Sequence, residues 1–205
     1  MTVARQITDY AGSLFDVVGV THLSSGESLL ILGLESTSER NLDEFGRLNG
    51  AFHLYGFEKH IGPKLESLLN LIQEKGSSAE PVGQYGYPLG GEINLKEEAI
   101  RAGLVKRGKS TIVLHPEYGP RLRLIAIRTD APLEPPIYSA LTEEENPLCN
   151  GCSICIDACP VNALKPYSMP DPSICLSNSA IMAEEQGRLV PCDICLNLCP
   201  VAKMY

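Results

Sequence analysis

The chain has 205 residues, 44% of them hydrophobic and 20% charged, with a formal net charge of −8 and a pI near 5.0. That length allows one good core plus a smaller second module, since domains usually run to about 100–150 residues. The longest apolar runs, such as SLLILGL at 28–34, fall far short of the ~20 residues a membrane span needs, and the acidic balance argues against broad electrostatic capture of nucleic acid.

The N-terminal stretch MTVARQITDY has neither an apolar core nor a small-residue cleavage site, so a cytoplasmic protein is expected. SLLILGL reads as a strand. IGPKLESLLNLIQEKG (61–76) reads as an amphipathic helix with Leu65, Leu68, Leu69 and Ile72 on one face, Pro63 near its first turn and Gly76 past its end. The glycines and prolines of SSAEPVGQYGYPLGG (77–91) predict a loop, and NLKEEAIRAG predicts a second helix closing at Gly103. STIVLH (110–115) and RLRLIAIRTD (121–130) are strand-like, with PEYG as a hairpin-like connection between them. Strands mixed with helices make an α+β body. The prolines of APLEPP (131–136) resist helix and interior strand alike, which sets the expected division into a body over 1–140 and a module over 141–205. TEEE (142–145) has the spacing of a capping box and also suits a solvated acidic turn.

All eight cysteines lie between positions 149 and 199. Cys149, Cys152, Cys155 and Cys159 form C-x2-C-x2-C-x3-C-P, the spacing of bacterial [4Fe–4S] ferredoxins, in which the fourth cysteine reaches the other cluster. Cys192, Cys195 and Cys199, followed by Pro200, repeat the end of that motif, with Cys175 displaced upstream. The crossover rule then assigns one cluster to Cys149, Cys152, Cys155 and Cys199, and the other to Cys159, Cys175, Cys192 and Cys195. Disulfides would need an oxidising compartment, for which there is no signal. Tetrahedral zinc needs neither the third close cysteine nor the two Cys-Pro ends. Two clusters held by interleaved ligands describe an electron wire, whose terminus would lie in residues 1–140.

GLVKRGKS, from Gly103 to Ser110, matches G-x-x-x-x-G-K-[ST] literally. The phosphate-binding mechanism behind that pattern requires a strand before the loop and a helix after it, whereas here a helix is expected before and a strand after. The segment keeps other binding chemistry: Gly108 lets a ligand approach the backbone, and Lys109 offers a charged donor. Lys106, Arg107 and Lys109 form a local basic patch able to meet a phosphate. His22, His53, His60 and His115 are scattered and form no metal-spaced pair, and none lies in the Asp-x-His-x-x-Gly pattern that supplies an axial histidine to one class of corrinoid proteins. No G-x-S-x-G occurs, so hydrolase chemistry has no support.

AIRAGLVKRGKSTIVLHPEYGPRLRLIAIRTDAPLE (99–134), followed by the cysteine module ending in CDICLNLCP, resembles the epoxyqueuosine reductase and reductive dehalogenase family. The likeness is carried outside the cysteines by Gly108, Lys109 and the Thr129 to Leu133 stretch. It implies a nitroreductase-like mixed N-terminal domain with a C-terminal, bacterial-ferredoxin-like two-cluster domain. It also implies a corrinoid such as cobalamin held along 108–127, with Gly108, Lys109, Ser110 and Val113 as cofactor-binding residues. Where the family carries the aspartate proposed as proton donor, this chain reads YPLGG (87–91), and the family's Gly-Trp-x-Gly-Lys becomes VKRGK. Tyr85 and Tyr87 lie near the vacant acid position; ordinary loop aromatics are their plainer reading, and no catalytic residue is assigned. The resemblance implies an iron–sulfur oxidoreductase passing electrons through two [4Fe–4S] clusters to a corrinoid. The competing expectation is an electron-transfer protein with no substrate chemistry of its own. A redox partner protein is expected in both cases, membrane association in neither, and tRNA is left open as a partner.

Overall fold

A computed structural model describes residues 2–49, 51–82, 93–135, 146–181 and 192–203. Tyr85, Tyr87, the YPLGG segment and TEEE lie outside the described residues. The chain divides into two compact units: Met1–Glu44, Leu54–Leu104 and Arg123–Leu141 form the first, and Phe45–His53, Val105–Leu122 and Thr142–Tyr205 the second.

The first unit is a four-stranded sheet with helices. Helix α1 (Val3–Leu14) starts where the Thr2 side chain accepts a hydrogen bond from the Arg5 N–H, 3.3 Å away, satisfying one of the orphan donors of the first turn. Its Ile7 and Ala11, one turn apart, are fully buried. Strands β1 (Val17–His22) and β2 (Ser28–Glu35) pair antiparallel from Val17↔Gly33 to His22↔Ser28. Every residue of β2 except the last is buried. Leu30, Leu32 and Leu34 join a core with α1 and with α2 (Tyr55–Glu74), while Leu29 and Ile31 alternate to the opposite face, where α3 (Leu95–Arg101) packs on β1 and β2. Both faces of β2 are therefore covered, which explains why its sequence is apolar throughout instead of alternating.

Helix α2 is longer at its start than the sequence suggests. Its buried face runs Phe57, Ile61, Leu65, Leu68 and Ile72, a spacing of three and four that gives one stripe. Pro63 thus sits well inside the helix, but on its exposed side. The Lys59 carbonyl that loses its donor there is also on the solvent side, where water can replace it. Helix entry depends on Gly56, where a Cβ would stand 2.1 Å from the Asn41 carbonyl oxygen. The loop expected over 77–91 is also partly regular: β5 (Ala79–Val82) pairs antiparallel with β8 (Leu122–Thr129) at the sheet edge, which tolerates Pro81. The sheet order is β1-β2-β8-β5.

The second unit contains the short hairpins β3 (Gly46–Leu48) with β4 (Ala51–His53), and β6 (Lys106–Arg107) with β7 (Val113–Leu114). STIVLH is thus strand only over two residues. Thr111 adopts φ 68°, a left-handed conformation rare for a β-branched residue, and the Gly108 N–H to Ile112 carbonyl bond of 2.7 Å closes a tight turn that bends the run away. PEYG does form a turn, with His115 and Gly119 exchanging backbone hydrogen bonds of 3.0 and 2.9 Å. The remainder is a 3-10 turn at Pro147–Cys149, α4 (Ile154–Asp157), α5 (Pro172–Ile181), α6 (Ile194–Asn197) and a 3-10 turn at Pro200–Lys203. Among the described residues no helix is long and apolar enough to cross a membrane.

Candidate iron–sulfur centre

Helices α4 and α6 are two copies of one local structure. Ser153 and Asp193 precede them with nearly the same backbone angles, φ −130° ψ 6° and φ −115° ψ 12°. In each, a single helical turn closes through bonds from Asp157 and Ala158, or Asn197 and Leu198, back to the residues four before. The last residue of each turn then hands the chain to Cys159-Pro160 or Cys199-Pro200, and proline stops the turn from continuing. One turn is the length that places the first cysteine of a CxxC pair before the helix, the second on it and the third just beyond. The two helices pack against each other.

The thiols fall into two groups by mutual influence. Burial raises the pKa of Cys155, and Cys149, Cys152 and Cys199 add to the rise by like-charge repulsion. Burial likewise raises Cys175, with Cys192 and Cys159 adding. Cys195 is pushed up to about 11 by burial first, then by Cys175 and Cys192, with a smaller contribution from Cys155. Cys149, Cys152, Cys155 and Cys199 also line one cavity, together with Gly108, Lys109 and Ser110. Among the described residues no three Cys, His, Asp or Glu side chains close on a point as the ligands of a bare ion do. Zinc would draw its thiolates in to about 2.3 Å from the metal. Thiols spread around a cavity suit a multi-iron cluster instead, whose positive charge would offset the repulsion that burial intensifies. The Ala163 N–H, 3.3 Å from the Cys159 sulfur, is the kind of donor that stabilises a bound thiolate.

The loop between β6 and β7 is stitched to the cysteine run. Asn146, only 2% exposed, donates through Nδ2 to the carbonyls of Lys106 (3.4 Å) and Arg107 (3.2 Å), while its Oδ1 accepts from the Leu148 N–H at 3.0 Å. Lys109 Nζ donates to the Cys152 carbonyl at 3.1 Å. Asn146 was legible only as an Asn-Pro turn signal, and the Lys109 contact spans 43 positions with no local signature. Ser110 is buried, and so is Val113, which lies in β7 and not among the residues lining the cavity. The GLVKRGKS segment runs from the end of α3 through β6 into the 108–112 turn, so no helix N-terminus follows its Gly-Lys-Ser. His115 is partly buried, which lowers its pKa against a smaller opposing effect of Glu117. Its Nδ1 accepts from the N–H groups of Glu117 (3.1 Å) and Tyr118 (3.3 Å), so the neutral ring carries its proton on Nε2.

A 4Fe-4S binding domain matches residues 147–165. The epoxyqueuosine reductase of Listeria monocytogenes is 37% identical over 87 residues, covering 42% of this chain and 21% of that protein. That of Cyclobacterium marinum is 28% identical over 166 residues, 80% of this chain and 51% of that protein; reductive dehalogenases match as well. The chain is similar to the epoxyqueuosine reductases and reductive dehalogenases. A solved epoxyqueuosine reductase bound to a modified tRNA-Tyr stem loop shares the fold with a TM-score of 0.70 at 21% identity, over 99% of this chain and 67% of that one. A reductive dehalogenase whose structure suggests a mechanism for B12-dependent dehalogenation follows at 0.67 and 17%, over 95% and 31%. The chain spans about half the length of its Cyclobacterium relative and about a fifth of its Listeria relative. It is a mixed α and β protein with a ferredoxin-like, [4Fe–4S]-binding C-terminal region.

Proposed function

We propose that this chain is an iron–sulfur reductase that delivers single electrons through two [4Fe–4S] clusters toward a corrinoid, with 1–140 as its body and 141–205 as its cluster module. The observation that carries the reading is geometric: Cys199, distant in sequence, lines one cavity with Cys149, Cys152 and Cys155, and the rise of the Cys175 thiol has Cys192 and Cys159 among its causes. Cys149, Cys152, Cys155 and Cys199 would hold one cluster, and Cys159, Cys175, Cys192 and Cys195 the other. Bound there, the clusters supply one-electron carriers, and a corrinoid supplies the acceptor that couples them to a substrate.

For the corrinoid, the family resemblance points to Gly108, Lys109, Ser110 and Val113; of these, Gly108, Lys109 and Ser110 line the thiol cavity, where they would face a ligand seated beside the first cluster. His115 does not compete for the metal, because its Nδ1 lone pair is taken by two N–H groups and its Nε2 bears the proton. The relative bound to a tRNA stem loop makes a tRNA-borne nucleoside the substrate class to try first. Reconstituted protein mixed with hydroxocobalamin should give a five-coordinate, base-off cobalt(II) paramagnetic resonance signal, unchanged in His115→Ala. Absence of binding at high micromolar corrinoid would remove the reductase reading.

A second reading is an electron carrier without substrate chemistry, passing electrons to a partner protein. It is favoured by Lys109, whose ammonium is directed to the Cys152 carbonyl. Cobalamin binding decides between the two.

A further inference from the structure

Lys109 is held at both ends. Its Nζ donates to the Cys152 carbonyl at 3.1 Å, and its own carbonyl accepts from the Tyr167 N–H at 3.0 Å. Both supports use backbone conformations that are uncommon away from glycine. Thr111, whose N–H closes the 108–111 turn on the Gly108 carbonyl at 2.9 Å, has φ 68°, and Tyr167 has φ 60°. Left-handed residues of this kind cost of order 1–3 kcal/mol each and persist where the surroundings over-determine them. A surface lysine searching for any carbonyl would need neither.

Lys109 lines the same cavity as Cys149, Cys152, Cys155 and Cys199, and it is only partly exposed. Each set has one aspartate at its single-turn helix, Asp157 in α4 and Asp193 before α6, so carboxylates do not distinguish the two sets, whereas Lys109 lines the cavity of the first. Adding an electron to a cluster adds negative charge, which a fixed cation stabilises and a nearby carboxylate opposes. Partial burial limits screening by salt.

We propose that Lys109 is a positioning residue that sets the order of reduction: its ammonium raises the potential of the cluster bound by Cys149, Cys152, Cys155 and Cys199 above that of its neighbour, so a one-electron donor fills that cluster first. A unit charge roughly 6 Å from a cluster, at an effective dielectric of about 40 between the buried and bulk-water values, shifts the reduced-to-oxidised ratio at a given potential by about tenfold. The proposal rests on the cluster assignment above, and the test separates the two, because iron content reports the assignment and midpoint potential reports the charge.

Lys109→Gln keeps an N–H donor for the Cys152 carbonyl and removes the charge; Lys109→Arg keeps both. Anaerobically purified, full-length wild type and both variants are titrated with dithionite and mediators, reading each midpoint by paramagnetic resonance. The expected result is full iron in all three, with the higher midpoint lowered by the equivalent of about tenfold, ~59 mV for a one-electron couple, in Lys109→Gln. Lys109→Arg should stand at the wild-type value, and that midpoint should be missing from Cys199→Ala. An unchanged midpoint in Lys109→Gln, or an equal shift in Lys109→Arg, would overturn the proposal. So would loss of iron in Lys109→Gln, with or without loss in Lys109→Arg, since the charge would then serve assembly of the site and not its potential.

Discussion

Cys155 and Cys195 occupy the same position in two repeated single-turn helices that pack against each other, and Cys155 adds a small part to the upward push on Cys195. A thiol in this position stays protonated where an ordinary cysteine has begun to ionise.

In cluster-free protein this gives a reactivity order. The thiolate is the nucleophile, so a thiol raised from 9.0 to about 11 remains almost wholly neutral at pH 8. Cys195 should be among the slowest of the eight to react with iodoacetamide, and its rate should keep rising between pH 9 and 11. Peptide mapping of alkylated protein measures this; Cys195 reacting as fast as a free thiol at pH 8 would contradict it.

Cys199→Ala should remove the cluster of Cys149, Cys152 and Cys155, which lie more than 40 positions upstream, and spare the one that includes its near neighbours Cys192 and Cys195. Iron should fall to about half, with one of two cluster signals retained. Chemical analysis and paramagnetic resonance on the variant check both. Loss of the Cys192 and Cys195 cluster instead would show that the ligands do not cross over.

The local shape of the cysteine segments was legible because short spacing sets it: both copies of Cys-x2-Cys-x3-Cys-Pro in this chain close one helical turn. Helix α3 was legible for a similar reason, since Asn94 caps it and Gly103, at φ 70°, follows its end. Helix α1 and strand β1 carried weaker signals. Thr2 is a proper cap, but only Ile7 and Ala11 of α1 are fully buried, too narrow a stripe to stand out. STIVLH read as a strand because its residues favour one; the bend at Thr111 is imposed by the turn that holds Lys109. The bond from Lys109 to Cys152 is set by packing between distant segments, which no local pattern records.

Gly119 tests the coupling between the HPEYG turn and the end of the cysteine run. At φ 54° a side chain is strained, and a Cβ would stand 3.0 Å from the Val201 carbonyl oxygen, two residues after Cys199. Gly119→Ala should cost about 1–2 kcal/mol through backbone strain alone. It should also speed loss of the Cys199-dependent cluster in air. Thermal denaturation and the decay of visible absorbance measure the two effects, and an unchanged variant would show that the turn does not support this segment.

The first unit has its own test. Leu68 is fully buried in the core made by α1, α2 and the sheet. Leu68→Ala should destabilise that unit by about 2–5 kcal/mol, while iron binding in the second unit persists at low temperature. Denaturant melts followed by circular dichroism and by cluster absorbance separate the two, and simultaneous collapse of both at every temperature would contradict it.

The central claim is that eight thiols hold two cubane clusters, and the most direct measurement is iron, acid-labile sulfide and zinc per chain on anaerobically purified protein. The account predicts about eight irons and eight sulfides with negligible zinc. Tightly bound zinc in place of iron, or four irons with four thiols still open to alkylation, would contradict it.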